Sequence, residues 1–232
     1  MTVLATGFGC ANNATLPEAP VFSEANYSSF LDKCSRKNGQ RDDAACVHEL
    51  ESLLSQGKIW GATANNFRKG ALAWQVPLQI DFQARKGDEG DFQIIDRHGE
   101  LVPRISLSRD SDPFELLITI NHELVHYAHS DELKAHISGD KKLNGCLLPF
   151  QKAILDNEME AYLEEIKFWK EAPEWFRGAS GAHFNSRLLG KRQVNYPEYY
   201  LKLESEIGSD ASFIPKRYIA LGKFPSCASR WY

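Results

Sequence analysis

The chain has no long apolar run, no closely spaced cysteine pair and no excess of either charge, and each absence removes a class of function. Its longest apolar stretches, 116–120 and 146–150, fall far short of the roughly 20 residues that cross a bilayer, so no transmembrane segment is expected. Lys and Arg number 27 against 31 Asp and Glu, a formal charge of −4. That is no polycation built to neutralise phosphates, and nucleic acid is not an expected partner. The five cysteines, at 10, 34, 46, 146 and 227, include no C-x-x-C, which excludes a thiolate zinc finger and a thioredoxin-type redox site. No internal repeat or long polar linker divides the chain. What remains, in 232 residues with 43% hydrophobic and 25% charged content, is the composition of a globular domain with a substantial core.

The cysteines carry a weaker positive signal. Cys34 and Cys46 end and begin two helix-like stretches joined by the turn-rich segment 35–43, a hairpin that a disulfide can cross-link in an oxidising compartment. The alternative is buried free thiols. Cys146 and Cys227 are the next pair to expect, with Cys10 left over. On this basis an extracytoplasmic location, periplasmic or secreted, is expected. The first eleven residues lack a basic n-region, and their apolar stretch is short and broken by glycine. Cys10 after Phe8-Gly9 only loosely resembles the end of a lipoprotein signal.

Residues 1–22 contain Asn12-Asn13, Pro17 and Pro20 with little periodicity, so they are expected to form an irregular arm, and 23–232 a single domain. Ser23 can cap a helix running to about Cys34, and Asp42 or Asp43 a second through Ser55. Between 71 and 108 the texture changes. Short runs at 72–76, 78–82, 92–95 and 104–108 alternate between glycine-rich turns at 87–90 and 98–100, which predicts a small, mostly antiparallel sheet. Helical spacing returns after Asp112-Pro113 and continues to about His129. Further helices are expected from near Pro149 to about Glu171, stopped by Ala172-Pro173, and from Pro197 to Ile207, with a glycine-rich loop over 178–190 between them. The predicted class is α+β.

Within the helix that follows Asp112-Pro113 stands His122-Glu123-Leu124-Val125-His126, an H-E-x-x-H string. Chance supplies such a string on the order of once per hundred chains of this length, but chance does not respect helix phase. Four residues apart, the two imidazoles sit about 40° from each other around a helix and can converge on one cation, and neutral imidazole suits zinc. Glu123 lies beside that line, where its carboxylate can hold a metal-associated water and accept its proton. Ile118 and Val125 share the histidine face and turn it inward, and buried histidines need partners.

A catalytic zinc wants a third protein ligand and one open position. On the helix from Pro149, Ala161, Tyr162, Ile166 and Trp169 form an apolar side within about 120° of Ile154, and Glu158 falls inside it, while Glu160 and Glu164 point to the solvated side. A lone carboxylate among apolar neighbours needs a cation. Glu165, seven residues on and also on the buried side, is better placed to accept an imidazole N–H or to form a salt bridge.

The motif His122–His126 followed, 32 residues later, by Glu158-Met159-Glu160-Ala161-Tyr162 resembles the gluzincin arrangement of zinc metallopeptidases, in which a second helix supplies a glutamate ligand. The resemblance covers the two helices closely and the remainder only in the order of elements. It implies zinc held by His122, His126 and Glu158, Glu123 as the base, and a sheet edge strand that binds substrate backbone, a place that 104–108 occupies here. One departure is visible. Gluzincins often carry an aspartate four residues after the ligand glutamate, and this chain has Tyr162.

Other readings of the same residues are weaker. A metzincin would have glycine three residues after His126 and a ligand at six, where this chain has His129 and Glu132. A peptide deformylase would have an upstream cysteine ligand, whereas Cys146 lies downstream. The second functional class is a catalytically idle, zinc-stabilised binding or inhibitory module using the C-terminal aromatics, among them Tyr196, Tyr199, Tyr200 and Tyr218. Glu123 speaks against it, because a closed structural site needs no base. The expected activity is therefore zinc-dependent hydrolysis of peptide bonds in a peptide or protein substrate. His183 and Tyr196 are the side-chain types that can donate to an oxyanion, and His98, His129 and His136 are expected at the surface or behind the ligands.

Overall fold

The computed structural model describes residues 23–37, 39–60, 62–74, 76–83, 90–137, 145–179 and 183–232. The expected arm at 1–22, Cys10 and most of the turn at 87–90 lie outside the described residues. Ser23 accepts from the Asn26 amide and opens α1, Glu24–Cys34, in a reciprocal capping box. Asp42 caps α2, Asp43–Ser55, in the same position. A disulfide joins Cys34 to Cys46, with the Cα atoms 4.7 Å apart, and so closes the hairpin between them.

The next element departs from expectation. Among the described residues of 72–76 there is no strand, because α3, Thr63–Ala73, extends into them. Its start at Ala62 has no capping side chain, and its buried residues are Thr63, Ala64 and Gly70. Its apolar face, Ala64 and Phe67, is short and carries little bulk to mark the helix in the sequence. Leu72, by contrast, is 90% exposed.

The sheet comprises β1, Gln79–Gln83; β2, Gly90–Arg97; and β3, Glu100–Ser108, in the order β1-β3-β2. A two-residue turn at His98 and Gly99, both at positive φ, joins β2 to β3 in an antiparallel hairpin, the geometry that matches strand twist. β1 pairs with β3 in parallel. The sheet is therefore mixed rather than antiparallel. It also corrects the placement of the substrate-binding edge. Residues 104–108 pair with β1 on one side and β2 on the other, so β3 is central, and the edge that packs beside the motif helix is β2. β3 takes the centre because Ile105, Ser106 and Leu107 are fully buried, a pattern of strands covered on both faces.

Asp112 caps α4, Pro113–Ala128, again with a reciprocal partner at Glu115. Every residue from Leu116 to Ala128 is buried. An all-round buried helix must be wrapped by other elements, and α4 packs against α3, α6, β2 and β3. After α5, Ser130–Ile137, comes α6, Pro149–Glu171, whose bounds match expectation at both ends. Then follow α7, Glu174–Ala179; a hairpin of β4, His183–Ser186, and β5, Lys191–Asn195; α8, Tyr196–Ser209; α9, Phe213–Ala220; and a final 3-10 turn, Ser226–Trp231. The hairpin lies where a glycine-rich loop was expected, and its strands are too short to show alternation. A second disulfide, Cys146 to Cys227, ties the entry of α6 to the C-terminal turn. The core between these layers is strongly aromatic. Phe114 stacks on Phe176 at 4.4 Å, Trp60 on Phe168 at 4.6 Å, and the Trp60 indole donates to the Phe168 carbonyl. No helix among the described residues is long and apolar enough to cross a membrane.

Candidate metal centre

Helix α4 supplies His122, Glu123 and His126 from one face, and α6, packed against it, supplies Glu158 and Glu165. His122, His126 and Glu158 are all buried and each offers a ligand atom, these atoms lying within 4.8 Å of one another. The group can hold a metal ion. His122 Nε2 is 3.3 Å from Glu158 Oε2, and His126 Nε2 is 3.6 Å from Glu158 Oε1. Oε2 nonetheless has no aligned hydrogen-bond partner. A buried carboxylate oxygen in that condition is costly unless a cation meets it, so the residues present fit a metal.

The far side of each imidazole is also occupied. His122 Nδ1 is 2.9 Å from Glu165 Oε1, and His126 Nδ1 is 2.6 Å from Asn157 Oδ1. When the Nδ1–H groups donate to these acceptors, the Nε2 atoms are left to face Glu158, which is the usual way a ligand histidine is oriented. Glu165 also accepts from the Tyr200 hydroxyl at 3.3 Å. The solvated residues behave differently. Glu160 is exposed and meets His129 Nε2 at 3.0 Å. Glu132, the metzincin-type alternative, is exposed and approaches His129 at 3.8 Å rather than the triad. Cys146 is in a disulfide and is not available as a ligand.

The electrostatics are those of closely coupled buried charges. Burial alone pulls the His122 imidazolium down, yet contacts with Glu158 and Glu165 outweigh it and hold His122 well above its ordinary value. Glu158 is resisted by burial but drawn down to about 2 by His126 and His122. His126 is lowered, chiefly by burial. Burial raises Glu123 to about 8, helped by the charges of Glu158 and Asp91 and opposed by His122 and by a hydrogen bond from the Phe92 amide.

A cleft of about 730 Å³ opens beside this group, reaching it at His122 and Glu123. His122, Glu123, Tyr162 and Glu165 line it, with Tyr196 and Tyr218 on its walls. Tyr162, the departure from the gluzincin pattern, places its ring edge-on to His122 at 4.7 Å, and its hydroxyl is 3.0 Å from that of Tyr218. Tyr218 also hydrogen-bonds to the Glu158 carboxylate. No spacing rule points to Tyr218, which comes from α9, 60 residues beyond Glu158. Asn157 offers one sequence signal, its place directly before Glu158 on the same helix. Of the two expected oxyanion donors, Tyr196 hydrogen-bonds to Glu115 and stacks in the aromatic core, and the side chain of His183 is outside the described part of the chain. His98 is exposed in the β2–β3 turn, and the side chain of His136 is likewise not described. Compared with protein-family models, curated proteins and solved structures, the chain matches none at a significant level.

Proposed function

We propose that the chain is a zinc-dependent peptidase of the gluzincin type, cleaving amide bonds in a peptide or protein. The observation that carries this reading is the convergence of His122, His126 and Glu158 in a buried group whose Glu158 Oε2 has no aligned hydrogen-bond partner, with His122 and Glu123 lining an open cleft. Held by His122, His126 and Glu158, zinc would polarise a scissile carbonyl and lower the pKa of an associated water. Glu123 accepts the proton of the attacking water and passes it to the leaving amine, a role open to it because its carboxylate is beside the triad and not among the converging ligand atoms. Tyr218, whose hydroxyl lies beside Glu158 on the wall of the cleft, is placed to donate to the oxygen on which charge develops. Glu165 and Asn157 keep the two imidazoles turned toward the centre. β2, the edge strand beside α4, is where an extended peptide backbone would lie. Two disulfides support an oxidising, extracytoplasmic setting for this activity.

The test is metal analysis of purified protein together with a mixed-peptide cleavage assay before and after chelation. One zinc per chain, with activity lost on chelation and restored by zinc, is expected. Protein purified without metal that also fails to take up added zinc would overturn the reading.

A further inference from the structure

Edge strand β2 is seated on the motif helix at a glycine. Gly90, its first residue, lies so close to α4 that a β-carbon added there would overlap the Thr119 methyl group while touching Glu123 Cγ and Oε1 at 3.4 Å. The requirement is for space, since the φ of Gly90 is not in the left-handed region. Thr119 has little room to give, because a β-branched side chain in a helix is restricted at χ1 and this one is buried. Its hydroxyl is buried without a hydrogen-bond partner, so it contributes only bulk to the contact.

Two residues along β2, the Phe92 amide hydrogen-bonds to the Glu123 carboxylate. Phe92 is paired in register with Ile105 of β3. An amide engaged by a side chain of α4 is one of the groups that an edge strand leaves unused by its neighbour. The same close approach that excludes a side chain at position 90 therefore brings this amide within reach of the carboxylate.

We infer that Gly90 is a positioning residue for the base: its lack of a side chain lets β2 close onto Thr119, so that the Phe92 amide holds the Glu123 carboxylate in place. The role of Glu123 as base rests on the peptidase reading, but the seating of its carboxylate does not. A methyl group at position 90 pushes β2 off α4 and breaks the amide contact. The triad comes from α4 and α6, so metal binding is expected to survive.

Four proteins test this: wild type, Gly90→Ala, Thr119→Ala and the double variant. Thr119→Ala removes the methyl that the new β-carbon strikes, so it compensates if the collision is the cause. In chelated protein, Phe92 amide exchange is expected to accelerate about tenfold or more in Gly90→Ala and to return close to wild type in the double variant. Zinc stoichiometry should be the same in all four. With a single peptide taken from a mixed-peptide library, kcat/KM should fall roughly tenfold to a hundredfold in Gly90→Ala and recover in the double variant. Unchanged Phe92 exchange in Gly90→Ala, or a loss that Thr119→Ala fails to repair, overturns the inference. If the wild type cleaves no peptide, the peptidase reading fails, and the exchange measurement still decides the seating.

Discussion

His122 Nδ1 meets Glu165 Oε1 at 2.9 Å, across the interface of α4 and α6, and this contact turns the other imidazole nitrogen toward Glu158. Asn157 does the same for His126. Neither acceptor is among the converging ligand atoms, so each should act on metal affinity through the ring that it holds. Glu165→Ala and Asn157→Ala are each expected to weaken zinc binding roughly 10- to 100-fold, whereas His126→Ala should abolish stoichiometric binding. Competition with a chromophoric chelator measures all three, and unchanged affinity in both Ala variants would remove the orienting role.

The two acidic faces of α6 give a second contrast. Glu158 is buried against both histidines, and Glu160, two residues on, is exposed and engages His129. Glu158→Gln should therefore lower zinc affinity by several orders of magnitude while Glu160→Gln leaves it nearly unchanged. Comparable losses in the two variants would mean that helix phase does not select the third ligand.

That contrast was legible in the sequence because α4 and α6 are amphipathic or capped in the ordinary way. Asp112-Pro113 and Ala172-Pro173 mark their ends, and the phase of Glu158 against Ile166 and Trp169 shows which carboxylate turns inward. Other parts were hidden for physical reasons. α3 packs through Thr63, Ala64, Phe67 and Gly70, too short an apolar face to stand out, and the exposed Leu72 imitates a strand. β3 reads as an alternating strand, yet whether it is central or at the edge depends on pairing partners distant in sequence. Tyr218 reaches the site from α9 through tertiary packing alone. Gly90 looked like an ordinary turn residue, and only the close passage of β2 over Thr119 reveals a constraint on it.

Chelation should expose the charges of the site as a pH dependence of stability. Without metal, the folded state holds Glu123 protonated up to about 8 and His122 protonated well above its ordinary value. Above the unfolded value of a histidine, near 6.5, the folded chain thus keeps protons that the unfolded chain has released, and stability falls as pH rises. Glu158, lowered to about 2, and His126, which is lowered, contribute stability that is already complete in this range and is lost only toward acid. The melting temperature of chelated protein is therefore expected to decline between about pH 6.5 and 8, and less steeply in Glu123→Gln. The zinc-loaded protein should gain relative to it over the same range, because metal binding displaces protons. A chelated melting temperature that rises with pH would contradict this account.

The two disulfides differ in accessibility. Cys34 and Cys46 are fully buried, whereas Cys227 is only half-buried. A mild reductant should open Cys146–Cys227 first, leaving Cys34–Cys46 intact until the chain unfolds. The bridges span 12 and 81 residues; loop-closure entropy gives about 3 kcal/mol for the shorter and over 4 for the longer, so Cys227→Ser should be the more destabilising change. Mass measurement after alkylation at increasing reductant identifies the order of opening.

Glu123 separates an enzyme from a zinc-stabilised binding module. Its carboxylate is buried beside the triad, is held by the Phe92 amide and faces the cleft. A structural site has no use for a carboxylate in that position, while hydrolysis needs one to take a proton from water. Glu123→Gln preserves shape and removes only the capacity to accept that proton. It should retain stoichiometric zinc and a cooperative fold, and it relieves the cost of burying an ionisable group, so its stability should not fall. On any peptide that the wild type cleaves, kcat should drop by roughly 10²–10⁴-fold, and by more if the water also loses its place. Measuring zinc content and turnover on the same preparation keeps the two effects apart. A variant that binds zinc and turns over peptide at the wild-type rate would show that the proton goes elsewhere, and the mechanism built on Glu123 would have to be abandoned.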